Sequence, residues 1–323
     1  MYIEEIGFSL WLDFIERGFL QKDFSSLIER GIVSGATSNP AIFKEAILKS
    51  PAYKEQLHSL KGEPKERYEA LAVEDIKEAC KILLPLYERG DDGFVSIEVD
   101  PRLANDASGS VKEAYRLLRK IDMPNVMIKI PATAAGYEAM AELLGDGVHV
   151  NATLVFSPEQ AKGCLDAFEK ALANSSRAKS VISIFVSRFD RKLDSQLPDS
   201  LRGRTGIMNA AKIYSLIQKR NLPNTRALFA STSVKGGDYP GDYYITELLA
   251  PNSINTAPLH TIEAFVEHGV KEAKLPIQEE EIDRFFQALK ESGVDIKMVY
   301  DELFEEGLSA FEEAFEEILR ELA

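Results

Sequence analysis

Only two cysteines, four histidines and one tryptophan occur among the 323 residues. Cys80 and Cys164 stand alone in helix-like segments, with no CxxC pair and no Cys/His cluster, which excludes a disulfide framework or a structural zinc site and fits a reducing cytosol. His58, His149, His260 and His268 are scattered, and the chain has no HExxH, no GxxxxGK[ST] and no GxGxxG after a strand. Metalloenzyme, phosphate-loop and dinucleotide chemistry are therefore poor fits, and no metal or cofactor is expected. Positive charge is also scarce. With 38 Lys+Arg against 52 Asp+Glu the formal charge is −14, the wrong sign for a nucleic-acid partner. No apolar run approaches the roughly 20 residues of a membrane span. The stretch from Met1 to Trp11 has acids where a secretion signal needs bases, so a cytoplasmic protein with no membrane partner is expected.

What is present is an alternation of short β-branched runs and longer amphipathic ones. Strand candidates are Ser9–Phe14, Ile32–Thr37, Phe94–Val99, Val126–Pro131, Val148–Phe156, Val181–Val186, Arg226–Ser231 and Ser253–Thr256. Helix-like segments lie between them, for example Ser110–Lys120, Pro158–Ala173, Met208–Arg220 and Leu259–His268. Eight strands separated by helices predict an α/β fold, a (β/α)₈ barrel, with additional helices from Pro40 to Arg89 and in a tail after Pro276. No Gly-, Pro- or Ser-rich linker divides the chain, so residues 1–323 read as one domain with the tail, about 276–323, packed on it. That tail holds most of the net charge: from Glu279 onward 15 acids face 4 bases. Its Leu303, Phe304, Leu308, Phe311, Phe315, Ile318, Leu319 and Leu322 recur at three- and four-residue steps, the pattern of one apolar stripe packed on the body with the acids outward. Whether the tail covers a site or only the barrel's outside is open at this point, as is monomer against homodimer.

In such a barrel, groups that are costly to bury gather at the C-terminal ends of strands when they serve chemistry. Asp13 closes the first candidate strand, Asn39 follows the second, Glu98 ends the third, Lys129 lies in the fourth, and Asn151 and Thr153 in the fifth. Ser183 and Phe185 share one face of the sixth, Arg188 lies just beyond it, and Ser231 ends the seventh. Lys129, inside Val126–Pro131, is the most informative, because an unpaired ammonium in an apolar strand is expensive. Desolvation makes the neutral amine accessible, which is what a Schiff-base nucleophile needs. The bland alternatives are an edge lysine reaching solvent or an ion pair with a buried carboxylate. Glu98 supplies an acid/base on the neighbouring strand, and the Thr153 hydroxyl completes a relay through water, although a structural Glu–Lys pair would use the same residues. Asp13 suits proton abstraction from a substrate hydroxyl or a strand-end cap. Asn39 suits a hydroxyl or a turn before Pro40, and Arg188 suits a phosphate or a surface ion pair.

These residues sit in blocks that resemble transaldolase. They are Gly35-Ala36-Thr37-Ser38-Asn39-Pro40, Ser96-Ile97-Glu98-Val99-Asp100 with Arg102, and Lys129-Ile130-Pro131-Ala132-Thr133. Val150 to Ser157 with Gln160-Ala161, Ile182 to Val186, and Ala230-Ser231-Thr232 continue the order, so the resemblance runs from Leu10 to about Gly269. It implies a cofactor-free, class I Schiff-base enzyme of the non-oxidative pentose phosphate pathway, a transferase of sugar-phosphate substrates. Such an enzyme passes a dihydroxyacetone unit from sedoheptulose 7-phosphate or fructose 6-phosphate to glyceraldehyde 3-phosphate or erythrose 4-phosphate. By the same resemblance Lys129 is the Schiff-base lysine, Glu98 and Thr153 the proton relay, and Asp13 the acid/base at the cleaved bond. Asn39, Asn151 and Ser183 hold the hydroxyls, with Phe185 beside them, and Arg188 and Ser231 hold phosphate.

The chain departs from the better-known members in lacking an arginine shortly after Ser231. The run is Ser231-Thr232-Ser233-Val234-Lys235, which offers Lys235 as a point-charge substitute. The fructose-6-phosphate aldolase branch is similar but carries Gln in place of Glu98 and Tyr in place of Phe185, so simple cleavage is the lesser expectation. A non-catalytic sugar-phosphate-binding barrel is the alternative from another class, and it would never form a reducible imine.

Overall fold

The computed structural model describes residues 1–90, 92–172, 177–236 and 238–323. Eight parallel strands close into a barrel in sequence order: β1 Ser9–Leu12, β2 Gly35–Thr37, β3 Val95–Glu98, β4 Val126–Pro131, β5 His149–Val155, β6 Ser180–Phe185, β7 Thr225–Ala230 and β8 Ser253–Ala257. The closing pair is β1 with β8, Ser9 opposite Ile254 through Leu12 opposite Ala257. Strands buried on both faces read as near-continuous apolar runs, which is why all eight were visible in the sequence. Their ends were less so. β1 stops at Leu12 rather than Phe14, β2 begins at Gly35 rather than Ile32, and β7 ends at Ala230 rather than Ser231. Asp13 and Ser231 therefore sit one residue past their strands, on the loops that form the barrel's mouth. The helix expected over Pro158–Ala173 runs Pro158–Leu172, and Ala173 lies outside the described residues.

Packing explains the local choices. At Gly35 a Cβ would lie 2.6 Å from the Trp11 ring, so only glycine lets β2 pass this fully buried side chain. The β5–β6 register shifts between Ala152 and Val155, and Leu154 at the bulge takes φ 57°. Ser231, after β7, has φ 55°. Left-handed backbone costs a non-glycine residue roughly 1–2 kcal/mol; Ser231 lines the mouth of the barrel, and Leu154 follows Thr153, which does.

The expected helical stretch between β2 and β3 comprises helices Pro40–Lys49, Lys54–Ser59 and Pro64–Glu88 with a short 3₁₀ turn. The tail forms helices Glu279–Glu291 and Ile296–Glu321. In the second of these Leu303, Phe311, Phe315, Ile318 and Leu322 are buried, as the stripe predicted. What it covers is the mouth of the barrel: Leu303, Glu306, Ala310 and Phe311 all line the cavity there. Among the described residues no helix is long and apolar enough to cross a membrane.

Candidate active site

A cavity of about 580 Å³ opens at the C-terminal ends of the strands. Nine of the eleven residues singled out in the sequence line it: Asp13, Asn39, Lys129, Thr153, Ser183, Phe185, Arg188, Ser231 and Lys235. Glu98 and Asn151 are not among its lining residues; they flank Lys129 as its register partners on β3 and β5.

Lys129 and Glu98 are register partners on β4 and β3. The Lys129 Nζ donates to the Ser38 carbonyl at 3.0 Å and lies 3.4 Å from Glu98 Oε2. Both side chains are more than nine-tenths buried. Among the described residues neither Glu98 oxygen has a hydrogen-bond donor, and burial pushes its carboxyl up to about 7 even though the Lys129 ammonium pulls the other way. A void of about 10 Å³, one water in size, lies between Glu98, Ser38, Asn39, Tyr68 and Phe315. The Thr153 hydroxyl is buried with no hydrogen-bond partner among the described residues. A buried hydroxyl and a buried carboxyl without hydrogen bonds near a lysine cost stability, and sites that do so are where chemistry is placed.

Asp13 accepts from the Thr37 hydroxyl at 2.7 Å, and that hydroxyl also lies 2.7 Å from Thr256 Oγ1. Burial raises the Asp13 carboxyl, partly offset by the Thr37 bond and by Lys129. Asn151 and Ser183 are joined to each other: Ser183 Oγ donates to Asn151 Oδ1 at 2.6 Å, while Asn151 Nδ2 donates to Ser96 Oγ at 3.1 Å. Asn39 does cap a helix, its Oδ1 accepting from Ile42 N at 3.0 Å, which leaves its amide NH₂ for the cavity.

The outer half of the cavity is positive. Arg188 lies over the rings of Phe185 (5.4 Å) and Phe156 (6.0 Å) and pairs with no carboxylate among the described residues. Burial, and then the like charge of Arg191, hold its guanidinium below the usual range. Lys235 is held low too, chiefly by Arg191 beside it and then by desolvation and Arg188. Ser231 Oγ bonds Ser187 Oγ at 3.1 Å.

Several lining residues were not found in the sequence. Arg191 was readable, since it stands three positions after Arg188 and so on the same face of the helix Ser187–Leu193. Thr37 and Thr256 had no signal beyond lying in strands. Phe311 and Glu306 belong to the tail's amphipathic pattern, which looks the same whether the helix packs on the barrel wall or over its mouth. Phe311 stands with its ring centroid 5.8 Å from Lys129 Nζ.

A second cavity, about 670 Å³, opens at the opposite face around Trp11, Phe94 and Arg226. Its polar groups largely satisfy one another: Asp92 pairs with Arg226 at 2.6 Å and with Trp11 Nε1 at 3.1 Å, and His149 bonds Tyr87 and the Lys179 backbone. The C-terminal cavity is the candidate site. Among the described residues no group of three or more His, Cys, Asp or Glu could hold a metal ion.

Comparison with known proteins agrees with this geometry. The model of the Transaldolase/Fructose-6-phosphate aldolase family matches residues 10–322. A transaldolase of Campylobacter jejuni (strain 81-176) is 48 % identical, covering 98 % of this chain and 99 % of its own. One from Helicobacter pylori (strain 26695) is 44 % identical, covering 97 % and 98 %. The match thus extends past Gly269, where the sequence blocks stopped, through the tail helix that roofs the site, and the chain belongs to the Transaldolase/Fructose-6-phosphate aldolase family.

Proposed function

We propose that this chain is a transaldolase that carries a dihydroxyacetone unit on Lys129, moving it from a ketose phosphate to an aldose phosphate in the non-oxidative pentose phosphate pathway. The observation that carries the reading is the buried Lys129–Glu98 pair, opposed across β3 and β4 at 3.4 Å with the lysine facing the cavity. Neutral Lys129 attacks the ketose carbonyl, and loss of water from the carbinolamine gives the iminium. Protons are moved by Glu98, whose carboxyl at about 7 accepts and returns one near neutral pH, through a water shared with Thr153. Asp13 takes the proton from the hydroxyl beside the breaking carbon–carbon bond, and the aldose phosphate leaves. The electron pair stays on the three-carbon unit as an enamine, which attacks the incoming aldehyde. Asn39 and Ser183 face the hydroxyls, Asn151 orients Ser183, and Arg188, Ser231 and Lys235 face the phosphate.

Fructose-6-phosphate aldolase-type cleavage is the second reading. Glu98 and Phe185, the residues that separate the branches, favour transfer. Borohydride reduction in the presence of fructose 6-phosphate, followed by peptide mass mapping, tests the chemistry: a three-carbon adduct on Lys129 is expected. Its absence on folded protein would overturn the reading in favour of a binding barrel, and release of free dihydroxyacetone as fast as transfer to erythrose 4-phosphate would favour the aldolase.

A further inference from the structure

The phosphate end of the cavity holds more positive charge than the sequence reading placed there. Arg188, Arg191, Lys192 and Lys235 all line it. Among the described residues only Lys192 is paired, with Glu302 at 2.9 Å and Glu306 at 2.7 Å, both from the tail helix. Four cations against two carboxylates leave a local charge of about +2 in a protein whose overall charge is −14. Arg191 makes no ion pair among the described residues, yet stands close enough to be the main repulsive influence on the Lys235 ammonium. Unpaired like charges converging on one cavity raise the free energy of the empty protein. A phosphate monoester, with a charge of about −1.5 to −2 at pH 7, would neutralise them.

We propose that Arg191 stands in for the arginine missing after Ser231, forming with Arg188 and Lys235 a three-cation cradle for a phosphate-terminated aldose. The inference rests on the transaldolase reading for its substrate, though phosphate binding itself does not require that reading. Arg188 and Arg191 sit three positions apart on one helix face, so they converge without rearrangement, and each presents a fork that matches phosphate oxygens, which Lys235 cannot. Glu306, on the cavity wall and bonded to Lys192, is the opposing charge that keeps binding reversible.

Titration with inorganic phosphate, followed calorimetrically, tests the cradle without reference to turnover. Arg191→Gln should weaken phosphate binding by about tenfold or more, Arg191→Lys should weaken it less, and Glu306→Gln should tighten it. The preference in kcat/KM for erythrose 4-phosphate over erythrose, measured with fructose 6-phosphate as donor, should fall by a similar factor in Arg191→Gln. Phosphate affinity within twofold of wild type in Arg191→Gln, or equal losses with both acceptors, overturns the proposal. So does weaker phosphate binding in Glu306→Gln. If borohydride gives no adduct on Lys129 while Arg191→Gln still loses phosphate, the cradle stands and the transaldolase reading falls. An adduct with undiminished phosphate binding overturns the cradle alone.

Discussion

The two ends of the barrel each bury a carboxylate beside a cation, and they treat it in opposite ways. At the N-terminal face Asp92 accepts from Trp11 Nε1 and Ser34 Oγ and pairs with Arg226 at 2.6 Å. Arg226 also bonds the Gly7 and Ser253 carbonyls and Ser9 Oγ. Burial alone would raise the Asp92 carboxyl, but Arg226 and these hydrogen bonds outweigh it and hold the group below its ordinary range. At the C-terminal face Glu98 is as deeply buried, has no hydrogen bond, and has its cation 3.4 Å away; desolvation wins and the carboxyl rises to about 7. A satisfied buried pair serves to hold the barrel, whereas an unsatisfied one remains free to exchange protons. The difference is made by the closer cation, 2.6 Å against 3.4 Å, and by the hydrogen bonds, because burial and fold are shared.

The sharpest way to break the comparison is at the lysine. Lys129→Met should lower turnover by about a thousandfold or more while leaving the melting temperature no lower, since it removes a charge whose partner can take up a proton instead. Substantial residual transfer would place the chemistry elsewhere. Asp92→Ala should do the reverse. Stranding the Arg226 guanidinium should cost about 3–5 kcal/mol in denaturant unfolding, with kcat of the folded fraction little changed. A loss below about 1 kcal/mol would mean that the two ends do not differ as described.

Glu98→Gln should slow imine formation in single-turnover kinetics by about a hundredfold. It should also change the pH dependence of stability. The folded carboxyl titrates near 7 and the unfolded one near 4.5. Between those values the folded state keeps a proton that the unfolded chain has released, so stability falls as pH rises through that window. Glu98→Gln should flatten that fall. An unchanged slope would show that Glu98 is not held neutral by its surroundings.

Much of the site was legible because buried polar residues in apolar strands are conspicuous. Lys129 in Val126–Pro131 and Thr153 in the fifth run stood out for that reason, and the barrel's register sets Lys129 between Glu98 and Asn151, with Thr153 two residues further along β5. Strand ends were less legible, because Phe14 and Ser231 have the composition of a strand but lie where the chain turns to build the mouth. Glu306 and Phe311 could not be assigned, since an amphipathic helix specifies that one face is buried without specifying against what.

The sequence by itself determined the period of the elements, the eight-strand barrel and the polar groups at its mouth. These follow from side-chain burial, which each residue carries with it. The tertiary structure alone decided that Glu98 would be left without hydrogen bonds while Asp92 is saturated, that Arg191 would join Arg188 and Lys235, and that the acidic tail would roof the cavity. Those depend on distances between residues as far apart in the sequence as Asp13 and Phe311, and a carboxylate's proton affinity is set by what stands within a few ångströms of it.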